Sequence, residues 1–193
     1  MLPPAHVEFT WAALNALQRQ AGWFEDADYR LAALAAVLPD LIDKPLATFV
    51  LTNEDAALLF GHTALVHAGV WLAAAGTGQL PRAWPYLLAF SGHLVADRMW
   101  SFSQTLWWPF KGRRFHQWKH VGSPQAILQA YAKVIREEPL LLTFEALGAL
   151  LLVWFVRDRG LWQRAELATF LRTGQFSEPL PALSQREETN TRV

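Results

Sequence analysis

A histidine and an aspartate four positions apart inside an oily stretch constrain this chain more than any other feature. Gly92-His93-Leu94-Val95-Ala96-Asp97 closes an apolar segment that begins near Trp84, and the segment reads as a mostly buried helix. On a helix, residues four apart share a face, one turn from each other. Burying both groups without partners costs on the order of several kcal/mol, so the fold has to bring something between them. Three other places offer the same kinds of group: His6, Pro39-Asp40-Leu41-Ile42-Asp43, and Gly61-His62-Thr63-Ala64-Leu65-Val66-His67. The expectation is that all four places converge on a metal site.

Each place also has a plainer reading. Pro3 and Pro4 suit a first helical turn, and Val7, Trp11, Leu14 and Leu17 continue it at helical spacing up to Gly22. His6 in that turn is either a capping residue or a ligand. A second helix is expected over 26–38, ended or kinked by Pro39, with Asp40 and Asp43 directly after it. The pair serves either as cap and turn or as ligands. Asn53 reads as the N-cap of a helix carrying His62 and His67. Five residues of separation turn the two rings about 140° apart on an ideal helix, so they share a site only if Gly61-His62 lies at a break or helix start. Otherwise they are core histidines bonded to carbonyls.

The absence of cysteine leaves His, Asp and Glu as metal ligands. The seven candidates (His6, Asp40, Asp43, His62, His67, His93 and Asp97) are nitrogen and oxygen donors. That mix suits Zn²⁺ and also Mn²⁺ or Fe²⁺. One zinc takes three or four protein ligands, so seven imply more than one ion.

The chain is oily, with 52% apolar and 18% charged residues and ten tryptophans among 193 residues. Tryptophan favours wet–dry boundaries, membrane interfaces included. Residues 139–156 approach the length of a membrane span, with Glu145 as their sole charge; a buried core helix is the competing reading. From Trp100 to His120 aromatics alternate with cations. This run fits a membrane interface, a phosphate-binding wall or a solvated basic loop. Zero net charge argues against nucleic acid. Further helices are expected over 124–138 and 161–172, and a polar, disordered tail over 177–193. No strand alternation or repeat is visible. The fold class is therefore all-α, a single helical bundle over 1–176 with buried or membrane-embedded helices. Met1 to His6 lack the basic and apolar regions of a cleaved signal peptide.

The order of the motifs resembles the bacterial membrane-bound metal-dependent hydrolase family. That family looks like an N-terminal His, a Pro-Asp-x-Asp type motif, Gly-His-x4-His and (Ser/Gly)-His-x3-Asp, then Leu-Trp-Pro with basic residues. The matching positions are His6, Pro39-Asp40 with Asp43, Gly61-His62 with His67, Gly92-His93 with Asp97, and Leu106-Trp107-Trp108-Pro109-Phe110-Lys111-Gly112-Arg113-Arg114. The chain is also distantly similar to zinc-dependent phospholipase C and P1-type nuclease proteins. Thr63, Ala64 and Val66 stand where the family has Arg, Gly and Thr, and two residues rather than one separate Asp40 from Asp43.

The resemblance implies a hydrolase of the bacterial inner membrane that acts on a phosphoester, possibly a lipid, through metal-activated water. Arg98, Lys111, Arg113 and Arg114 are expected to meet phosphate, and membrane lipid is the expected partner. Two alternatives differ in kind: a non-enzymatic membrane protein with a structural metal or buried His/Asp network, and a soluble helical binding module.

Overall fold

The structure, a computed structural model, describes residues 1–51, 56–117 and 123–177. Among them no strand occurs, and the chain runs through α1 (Pro3–Ala21), α2 (Tyr29–Pro45), α3 (Ala64–Gly76), α4 (Leu80–Ala96), the short α5 (Ser103–Leu106), α6 (Pro124–Glu137), α7 (Pro139–Asp158) and α8 (Arg164–Thr173). The all-α expectation holds. The proposed Asn53 cap and residues 178–193 of the expected tail lie outside the described residues.

Helix α1 begins on its two prolines and ends where Gly22 takes a left-handed φ of 64°, its N–H bonding the Gln18 carbonyl. Asp28 caps α2 by accepting from the Arg30 and Leu31 amides.

Helix α2 does not stop at Pro39, contrary to the sequence expectation. It runs on to Pro45. A proline inside a helix costs roughly 3 kcal/mol; here α2 packs along both α1 and α4, and that packing carries the helix across the missing hydrogen bond. The result is an inverted face. Asp40 and Asp43, three apart on one helical surface, are buried, whereas Leu41 and Ile42 are exposed.

Two cores hold the bundle. Leu14, Tyr29, Phe155 and Phe170 join α1, α2, α7 and α8. Ala47, Ala56, Leu59 and Phe115 pack under the turn that precedes α3. Much apolar surface remains outside them. Leu72 of α3, Val95 of α4 and Leu150 of α7 are each more than half exposed. In α7, 20 residues long, only 11% of the most apolar window is buried, so the core-helix reading of 139–156 fails. At 1.5 Å per residue such a helix is about 30 Å long, the thickness of a bilayer's hydrocarbon core. Glu145 does not break the pattern: it is half-buried, and its carboxylate accepts from the Leu2 amide.

Candidate metal centre

Four side chains from α2, the turn before α3 and the end of α4 point at one another. Asp40 Oδ1, His62 Nε2, His93 Nε2 and Asp97 Oδ2 all lie within 4.8 Å of each other. The two imidazole nitrogens are 3.1 Å apart. His62 Nε2 is 3.7 Å from both Asp40 Oδ1 and Asp97 Oδ2. His93 Nε2 is 3.3 Å from Asp97 Oδ2 and 4.0 Å from Asp40 Oδ1. A tetrahedron of donors about 2.0–2.1 Å from a zinc has edges of about 3.3 Å, within the range of these separations. The donor set therefore fits one four-coordinate divalent ion.

The hydrogen bonds around the four groups fix how they present. His93 Nδ1 donates to the Ala36 carbonyl, at 2.7 Å, which leaves the lone pair on Nε2 facing inward. His62 Nδ1 pairs with Asp43 Oδ2, also at 2.7 Å. Two ring nitrogens that face each other as acceptors need a proton or a cation between them. Backing a ligand histidine with a carboxylate or carbonyl is the usual way its tautomer and angle are set.

The electrostatics favour a cation. Burial on its own lowers the His62 pKa. The Asp43 and Asp97 hydrogen bonds and the charges of Asp43 and Asp40 outweigh it and raise the value to about 9. Burial on its own raises the Asp97 pKa, and the His6, His62 and His93 imidazoles outweigh it and hold this carboxyl far below the usual range. The surplus of carboxylate that protonates His62 is the same field that attracts a divalent ion.

Of the seven residues anticipated from the sequence, three stand around the four-atom group instead of in it. Asp43 is fully used as an acceptor, from the Leu59 amide at 2.6 Å, the Gly61 amide at 2.8 Å and His62. His67 bonds the Gly61 carbonyl at 2.9 Å and Ser91 Oγ at 3.2 Å and stacks on Phe90. Burial lowers its pKa to about 4, so it is neutral. His6 stacks on His93 with ring centroids 4.0 Å apart. Its Nε2 lies 3.1 Å from Asp97 Oδ1 without hydrogen-bond alignment, and burial, the largest influence, lowers its pKa. Four converging groups suit one ion, not the several expected from seven.

Local sequence explains the convergence. Thr63 caps α3 through the Val66 amide, so the preceding Phe60–His62 forms a separate 3-10 turn. The break that would let His62 and His67 share a site is thus present, yet only His62 joins the four-atom group; His67 turns to Phe90 and Ser91. Gly61 lets the turn press against α2: a Cβ there would sit 2.8 Å from the Pro39 carbonyl oxygen. Asp97 closes α4, and Arg98 turns the chain at a φ of 50°, the left-handed region usually left to glycine.

Of the cations expected to meet phosphate, Arg98 lines a groove beside Asp40 and Asp97. Lys111, Arg113 and Arg114 sit in the exposed loop after α5 and do not line it. Lys44, which sequence reasoning passed over, does line it and pairs with Asp40. Its spacing of four from Asp40 is a usable signal only once α2 is known to continue past Pro39.

A family model described as YdjM inner membrane protein matches residues 1–161. The chain belongs to the YdjM inner membrane protein family. The matched stretch contains all four converging residues and the whole of α7. No curated protein and no solved structure matches the chain. Membership of this family, with an exposed apolar helix of spanning length, makes the chain a membrane protein of the bacterial inner membrane.

Proposed function

We propose that this chain is a membrane-associated, metal-dependent hydrolase of a phosphoester. The reading rests on one observation: four nitrogen and oxygen donors from three separate elements meet within 4.8 Å, each histidine already oriented through its other ring nitrogen. Asp40, His62, His93 and Asp97 would hold the ion, with zinc favoured by the donor types and manganese or iron compatible with them. A divalent ion in such a site supplies Lewis acidity, which lowers the pKa of water and offsets charge developing on a phosphoryl oxygen. The protein's own part is orientation. Asp43 holds His62, the Ala36 carbonyl holds His93, and Lys44 and Arg98 bring positive charge to the groove beside the carboxylates.

A second reading has one observation in its favour. Lys44 already pairs with Asp40, as in a buried ionic network that needs no ion, within a non-enzymatic membrane protein. Metal content separates the two. The purified protein is expected to carry one divalent ion per chain by elemental analysis, and His93→Ala and Asp97→Ala are expected to lose it. Unchanged stoichiometry in both variants overturns the metal reading. A loaded protein that leaves a panel of phosphomonoesters and phosphodiesters intact overturns the hydrolase reading.

A further inference from the structure

The groove that opens on Asp40 and Asp97 has a volume of about 310 Å³, at the lower end of the roughly 300–1,000 Å³ range of ligand pockets. Its lining combines two chemistries. Lys44 and Arg98 join the two carboxylates, whereas Leu58, Phe102, Leu141 and Phe144 supply apolar wall. Among the described residues Arg98 makes no ion pair, and its side chain is exposed. Leu141 and Phe144 belong to the first turns of α7, the helix of spanning length. Their neighbours Leu140 and Leu142 are about half exposed. The apolar wall thus continues onto a surface suited to lipid.

We infer that the groove seats a phospholipid-type amphiphile, its phosphate beside Lys44, Arg98 and the metal centre and its acyl chain along Leu58, Phe102, Leu141 and Phe144. The inference rests on the metal-centre reading and narrows the phosphoester to one that enters sideways from the bilayer. Charge decides when such a ligand binds. Without an ion the lining acids Asp40, Asp97 and Glu138 are matched by Lys44, Arg98 and the Met1 ammonium, which pairs with Asp97 at 2.5 Å. A divalent ion between Asp40 and Asp97 tips this balance to net positive and makes the groove attractive to a phosphate. Phosphate binding is therefore ion-dependent, while an alcohol of equal chain length gains nothing from the ion.

The test uses the full chain in phosphatidylcholine nanodiscs. It is photolysed with a dodecyl phosphate carrying a terminal diazirine, and the cross-links are mapped by mass spectrometry. Cross-links are expected to concentrate at Leu58, Phe102, Leu141 and Phe144 when Zn²⁺ or Mn²⁺ is present. They are expected to fall about tenfold with chelator, the loss of one contact worth ~1.4 kcal/mol. Ala57→Trp, which fills the groove, should lower labelling similarly. Arg98→Glu, at an exposed position that leaves the core untouched, should lower it for the phosphate probe and not for the matching alcohol. Labelling spread evenly over the exposed leucines of α7, and indifferent to chelator and to Arg98→Glu, overturns the inference. The two readings fail separately. Ordered labelling without phosphoester turnover removes the hydrolase and keeps the amphiphile site. Turnover of a short, water-soluble phosphodiester with scattered labelling keeps the hydrolase and removes the lipid.

Discussion

Asp43→Asn separates a residue that orients a ligand from one that is a ligand. Asp43 Oδ2 accepts from the Leu59 amide and His62 Nδ1, and Oδ1 accepts from the Gly61 amide. Asparagine retains one acceptor oxygen. Placed where two donors converge, it leaves its NH₂ facing the Gly61 N–H, donor against donor, in a fully buried site. An unsatisfied buried group of this kind costs about 1–3 kcal/mol, so the variant should unfold more easily by that amount. His62 also exchanges a charged partner for a neutral one. Loss of a carboxylate behind a metal-binding histidine typically weakens the metal about 10–100-fold, or roughly 1.4–2.7 kcal/mol. The number of ions bound should not change. The assay is competition of the purified protein against a chromogenic chelator, which reads stoichiometry and affinity together, with Asp40→Asn and Asp97→Asn alongside. Those two variants should lose bound metal outright. The reasoning is refuted if Asp43→Asn abolishes binding as they do, or if its affinity equals that of the wild type.

Three further outcomes follow from the geometry. His62 is held at about 9 against an ordinary value of 6.5, so its contribution to the metal-free fold is fully present below pH 6.5 and is lost as pH rises through about 9. An entering ion displaces that proton, and apparent metal affinity should climb about tenfold per pH unit from 7 towards 9 and then level off; a flat titration contradicts the protonated His62. In Gly61→Ala the new Cβ meets the Pro39 oxygen at 2.8 Å, Pro39 Cα at 3.0 Å and Asp43 Oδ1 at 3.1 Å, so turn and helix must separate. Thermal unfolding should show a loss of about 1–3 kcal/mol together with weaker metal binding, and unaltered values of both would show that the close approach is not needed. Leu150→Arg puts a charge on the exposed middle of α7, which costs about 2.5–3.5 kcal/mol at a span's centre; the variant should leave the membrane fraction in part, and full retention speaks against α7 as the span.

The chain's chemistry was legible before its shape. His93 and Asp97 sit four apart in an apolar segment, and that burial problem by itself called for a partner. Without cysteine, only nitrogen and oxygen donors were available. Helix α1 could be read from the prolines at its start and from apolar spacing, α4 and α7 from their apolar runs, and the length of α7 follows from its composition; that α4 starts at Leu80 and takes in Pro81, which the sequence places in a turn, could not. These are local properties, and residues near in sequence carry them.

What sequence could not decide was division of labour among seven similar residues. Asp40 and Asp43 are chemically identical and lie on one helical face, yet one points into the four-atom group and the other is consumed by two backbone amides and a histidine. The difference arises from the turn before α3, which Gly61 allows to press on Pro39. His62 and His67 part for a similar reason: Thr63 starts a new helix between them, and that start faces one ring inward and the other onto Phe90 and Ser91. Pro39 misled the reading of α2 because the cost of a helical proline is local, whereas the packing on α1 and α4 that offsets it is not. Sequence alone determined that this is an oily, all-helical chain with buried histidine and aspartate groups in need of partners. Only the tertiary structure decided which four of them meet, because that depends on helices distant in the chain approaching to within hydrogen-bonding distance.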